Sequence, residues 1–120
     1  MNMSEFDPTL SQVSAIQTAF DSDNFSGADT PEGKRRHILL HLGKLIGKFS
    51  GAEEQVDHGA TDTSIIRTDV IPDLVVFAAQ LAELEGINLA EAYRTRLEFV
   101  AERNGTGVES ASAAIERGLE

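Results

Sequence analysis

No cysteine occurs among the 120 residues, which excludes a disulfide framework, a thiolate nucleophile and a thiolate metal site. Tryptophan is also missing, and proline and lysine are each held to three residues. No apolar run approaches the ~20 residues that span a bilayer. The opening MNMSEFDP has no basic segment leading into an apolar one, so no signal peptide is expected, and a cytoplasmic protein without membrane contact is the expectation. Positive charge is scarce: ten Lys and Arg face twenty Asp and Glu, for a net charge of −10. General binding to a nucleic-acid backbone needs Lys and Arg to displace counterions, and this composition argues against it. The acidity suits either a high-salt organism or an ordinary acidic bacterial or phage protein. No segment has the two-residue period of a strand, and no internal repeat or low-complexity tract is present.

What is present reads as helix. A chain of this length fits one domain and is able to bury roughly two-thirds of its unfolded surface. Met1 to Phe6 reads as a loose leader. Asp7 and Pro8 suit the N-cap and first turn of a helix running to about Phe20, with Leu10, Val13, Ile16, Gln17 and Phe20 near one face. Asp21 to Asp29 reads as a polar connection with Phe25 turned inward. Its Asp21, Asp23 and Asn24 have the wrong glycine and glutamate spacing for an EF-hand loop.

The stretch from Thr30 to Ala52 organises the rest. Thr30 suits an N-cap and Pro31 the first helical position. Ile38, Leu39, Leu42, Leu45, Ile46 and Phe49 recur at helical spacing and predict an apolar face. Beside it runs a stripe of His37, His41, Lys44 and Lys48. Gly51 reads as the C-terminal stop. From Gly33 to Ala52 there is no acid, and the local charge is +5, leaving −15 on the remaining residues. Gly51 to Arg67 then reads as a long polar link with a helical turn around Glu53 to Val56.

A third helix is predicted from near Asp69. Pro72 falls in its first turn, where a missing N–H removes no internal bond. Ile71, Leu74, Val75, Phe77, Ala78, Leu81, Ala82 and Leu84 form a broad apolar stripe suited to burial on two sides. Gly86 ends this helix. Asn88, with Glu91 three residues on, caps a fourth, whose apolar face is Leu89, Ala92, Tyr93, Leu97 and Val100. Asn104 to Gly107 stops it. Val108 to Leu119 reads as a short last helix or tail. The expected fold is all-α: one domain over residues 1–120, a bundle of four to five helices with its core at about 8–104.

Two segments, HILLHLGKLIGKF (His37 to Phe49) and DVIPDLVVFAAQLAELEGINLAEAYRTRLE (Asp69 to Glu98), together with the order of elements, resemble the MazG-type all-α nucleotide pyrophosphohydrolases. The resemblance runs over roughly Leu10 to Asn104. It implies a MazG-like bundle, assembly as a homodimer or higher homo-oligomer, and a nucleotide as ligand. In that family an EExxE pattern on one helix and an ExxD pattern on the next hold Mg²⁺, a hard ion that takes oxygen ligands and bridges phosphates. Here the EExxE positions fall on Leu40, His41 and Lys44, and the ExxD positions on Val70 and Asp73. Arg96 matches a basic residue of the family's fourth helix, while an asparagine expected near it falls on Val100. The resemblance therefore implies the fold and a degenerate hydrolase site.

Several readings of the replaced residues follow. With the second and third helices antiparallel, as the resemblance implies, Lys44 falls opposite Asp73 and Lys48 near Asp69, so that a Lys44–Asp73 pair takes the metal's place and no cofactor is expected. The alternative for Asp69 and Lys48 is an N-cap and a solvated surface charge. A divergent active enzyme would use His41 and Asp73 with Mg²⁺ or Mn²⁺. His37 and His41, four residues apart, would with Asp73 offer nitrogen and oxygen ligands to Zn²⁺ or Mn²⁺. Lys44, Lys48 and Arg96 are the candidates for nucleotide or phosphate contact, and Lys34, Arg35 and Arg36 sit at a helix start that favours anions. A non-enzymatic helical interaction module is the remaining alternative.

Overall fold

In the computed structural model, which describes residues 1–24 and 30–120, most of the described residues are helical. A 3₁₀ turn (Met3–Glu5) precedes α1 (Leu10–Asn24), α2 (Pro31–Asp57), a π-helical turn (Ile66–Val70), α3 (Ile71–Glu85), α4 (Leu89–Arg103) and α5 (Gly107–Gly118). There is no strand among the described residues, and the expectation of an all-α bundle of four to five helices holds.

Local chemistry sets most boundaries. Thr30 Oγ1 accepts from the Gly33 N–H at 3.1 Å with Pro31 behind it, and Asn88 Oδ1 accepts from the Glu91 N–H at 3.1 Å. Gly86 closes α3 in the left-handed region, at φ 64°. Its N–H donates to Glu83 O, and that of Ile87 to Ala82 O, the paired bonds of a Schellman stop.

Three boundaries differ from the expected ones. The cap of α1 is Thr9, not Asp7: Thr9 Oγ1 accepts from the Gln12 N–H at 3.1 Å, and Gln12 Oε1 accepts from the Thr9 N–H at 2.8 Å. This reciprocal box outcompetes a lone aspartate. The helix also continues past Phe20 to Asn24, whose Nδ2 donates to Phe20 O. The inward turn expected of Phe25 lies outside the described residues. Second, Gly51 does not stop α2, which runs on to Asp57. A mid-helix glycine costs only about 1 kcal/mol, and Ala52, Glu53, Glu54 and Gln55 behind it are strong helix formers. The stop is Gly59, at φ 98°, with Ala60 N–H donating to Gln55 O. Third, the chain is helical again from Ser64, so the expected long link shrinks to a short one. Asp62 Oδ1 accepts the Ser64 N–H at 2.9 Å. Pro72 accounts for the π turn. Its ring would crowd the carbonyl four residues back and it has no N–H to give. The wider turn, in which the Ile71 N–H reaches Ile66 O, accommodates it.

The short link folds α2 and α3 into an antiparallel helical hairpin. α1 packs on α3 and also on α4, and α5 packs on α4. Asp21 clasps α1 to α3, accepting from Gln17 and from Gln80 at 3.1 Å. The buried core is thin: Ile38 and Leu45 of α2, Val70, Ala79 and Ala82 of the third-helix region, Ala101 and Ala111. The apolar stripe expected of α2 is split. Leu45 is 4% exposed, whereas its neighbour Ile46 is 58% exposed and Leu39 64%.

Candidate functional site between the second and third helices

The hairpin brings the basic stripe of α2 against the π turn. Lys48 Nζ lies 3.1 Å from Asp69 Oδ2, and the other carboxylate oxygen accepts from the Thr68 hydroxyl at 2.6 Å. Both charged partners remain partly exposed. The Thr68 hydroxyl first, and the Lys48 ammonium second, hold the Asp69 carboxyl below its ordinary value of 3.8. Asp69 sits inside the π turn, so it is not an N-cap, and Lys48 is bonded rather than simply solvated.

Lys44 and Asp73, one turn along, make no ion pair, and Asp73 is half-buried. The expected Lys44–Asp73 pair is therefore not formed, and the cation that meets a carboxylate between these helices is Lys48, at Asp69. The imidazoles of His37 and His41 stand with ring centroids 4.3 Å apart, tilted by 50°, on an exposed stretch of α2. Among the described residues no group of three or more His, Asp or Glu side chains converges in the manner of a metal site. Glu53, Glu54 and Asp57 line an open groove of about 470 Å³ with Ile46, Phe49 and Ser50, and neither Asp69 nor Asp73 borders it.

Arg96 belongs to a different surface. Its guanidinium lies 5.0 Å from the centroid of the Phe99 ring, within cation–π range. The two line an open groove of about 610 Å³ with Ile87, Asn88, Glu91 and Thr95. Among the described residues α2 packs on α3 and the π turn but not on α4, so the fold does not bring Arg96 together with Lys44 and Lys48. Neither Thr68 nor the π turn carries a motif of its own in the sequence. Pro72 a few residues downstream was the available signal.

The donor chemistry between α2 and α3 does not fit a hard divalent ion. Mg²⁺ and Mn²⁺ require several oxygen ligands. Here one oxygen of Asp69 is taken by an ammonium, the other by a hydroxyl, and the facing helix contributes lysines and histidines. Compared with family models, curated proteins and solved structures, the chain matches none.

Proposed function

We propose that this chain is a MazG-related nucleotide-handling protein whose metal-dependent hydrolase site is degenerate, with residual nucleotide binding rather than turnover. The observation that carries this reading is the Lys48–Asp69 pair. It lies between the second and third helices beside Lys44 and Asp73, the positions onto which the resemblance maps metal ligands, and it gives a carboxylate next to that place an ammonium partner in lieu of an ion. The all-helical architecture and the antiparallel α2–α3 hairpin support the same reading. Residual affinity for phosphates would rest on Lys44 and Lys48, with Arg96 at a separate surface.

The test is pyrophosphate release from a panel of nucleoside triphosphates with Mg²⁺ or Mn²⁺, alongside thermal shift with the same nucleotides. The proposal expects no metal-dependent release and a rise in Tm that Lys44→Ala and Lys48→Ala diminish, since a ligand specific to the folded state stabilises it. Metal-dependent turnover lost in His41→Ala or Asp73→Asn would instead support a divergent active enzyme. A second reading, a non-enzymatic interaction module, is favoured by the exposed apolar residues of α2 and α3. It expects no nucleotide response at all.

A further inference from the structure

The accessible surface of the chain is 9172 Å², whereas a compact monomer of this mass exposes about 6,300 Å². Its radius of gyration is 17.4 Å, against about 14 Å for a compact domain of this length. The surplus area is more than the ~800 Å² that a standard interface takes from each partner. Much of the apolar part of it lies on the hairpin. Along α2, Arg35, Leu39, Leu42, Ile46, Phe49, Glu53 and Val56 follow the alternating four- and three-residue spacing of a coiled-coil seam. This seam is on the opposite edge of α2 from Lys48. In an antiparallel pair the corresponding edges meet, so the edge of α3 away from Asp69 lies beside the seam; it carries Ile71 and Leu74, also exposed.

We infer that a second copy of this chain covers the seam, its α2 running antiparallel to the first about a twofold axis level with Lys44. The sequence of the seam is self-complementary in that register. Leu42 meets the partner's Ile46, Leu39 meets the partner's Phe49, and Arg35 meets the partner's Glu53. Each pair recurs by symmetry, as an isologous contact requires. The charges along α2 favour the same arrangement. Lys34, Arg35 and Arg36 stand at the positive end of the helix dipole, and Glu53, Glu54 and Asp57 at its negative end, both on the unfavourable side. None of these six has an ion pair among the described residues. An antiparallel neighbour sets each cluster against its opposite, and the groove lined by Ile46, Phe49, Glu53 and Asp57 receives the partner's basic, apolar first turns. The inference does not depend on the nucleotide reading.

Sedimentation equilibrium of the full chain tests it. A dimer of twice 12.9 kDa is expected. Ile46→Asp and Leu39→Asp, both at exposed positions, are expected to weaken it by about 100-fold or more with the far-UV helical signal unchanged. Arg35→Glu and Glu53→Arg are each expected to weaken it about tenfold, and the double variant to restore it. The absence of cysteine allows a single spin label at His58→Cys. Antiparallel packing puts the two labels about 40 Å apart, whereas parallel packing leaves them within about 10 Å, plus the reach of the labels. A monomer at about 200 μM, a dimer indifferent to Ile46→Asp, a double charge variant no better than the singles, or a short label distance would each overturn the inference.

Discussion

Leu45 and Ile46 are adjacent in sequence but face different surroundings, and alanine at each separates folding from assembly. Leu45 is 4% exposed between α2 and α3. Removing its branched end loses transfer energy and leaves a cavity, together about 3 kcal/mol for a site at the lower end of the Leu→Ala range. The lower end applies because the hairpin is only two helices thick and partly able to collapse. Ile46 is 58% exposed, so its truncation in the isolated chain costs at most about 1 kcal/mol. At roughly 4 °C per kcal/mol for a domain of this size, Tm falls by about 12 °C for Leu45→Ala and by no more than about 4 °C for Ile46→Ala. Urea unfolding followed by circular dichroism, at about 1 μM and about 200 μM protein, reads both effects. The cost of Leu45→Ala is expected at both concentrations, whereas that of Ile46→Ala grows with concentration, because in the proposed dimer the second copy buries what the single chain exposes. A Leu45→Ala cost below about 1 kcal/mol, or an Ile46→Ala cost independent of concentration, refutes the assignment of the two faces.

Other expectations are simpler. Gly86→Ala forces a Cβ into a left-handed conformation at φ 64°, with nothing within 4 Å for the methyl to touch, so a loss of about 1 kcal/mol should appear in urea unfolding as pure backbone strain. Thr9→Ala removes the α1 capping box and should cost about 1 kcal/mol, while Asp7→Ala should cost almost nothing. Asp69 has a lowered folded-state pKa, so its contribution is complete above the ordinary value of 3.8 and is lost as pH falls through the lower folded value. In an acid titration Asp69→Asn should therefore leave the profile near neutral pH parallel to wild type and flatten it below 3.8. A difference that instead varies between pH 6 and 8 would contradict this sign.

Helix content was readable because capping and stop residues act locally. Thr30, Gly86 and Asn88 each satisfy backbone groups within three residues, so no knowledge of the fold is needed to place them. Gly51 misled because a glycine stops a helix only where the next residues cannot continue it, and Ala52 to Gln55 can. The π turn was hidden because Pro72 is tolerated both in a first turn and after a widened one, and the proline alone does not tell which of the two precedes it. The antiparallel approach of Lys48 to Asp69 followed from the resemblance and the spacing. The apolar periodicity of α2 predicted one face where the fold makes two, since the period alone does not tell which neighbour covers Leu45 and which Ile46.

The reading that a lysine takes the place of a metal between α2 and α3 meets its most direct test in Mn²⁺ titration followed by electron paramagnetic resonance. With Lys48 on Asp69, the native chain is expected to show no saturable site up to about 1 mM Mn²⁺, the signal remaining that of the free ion. A stoichiometric site of micromolar Kd that Asp69→Asn or Asp73→Asn abolishes would contradict the account.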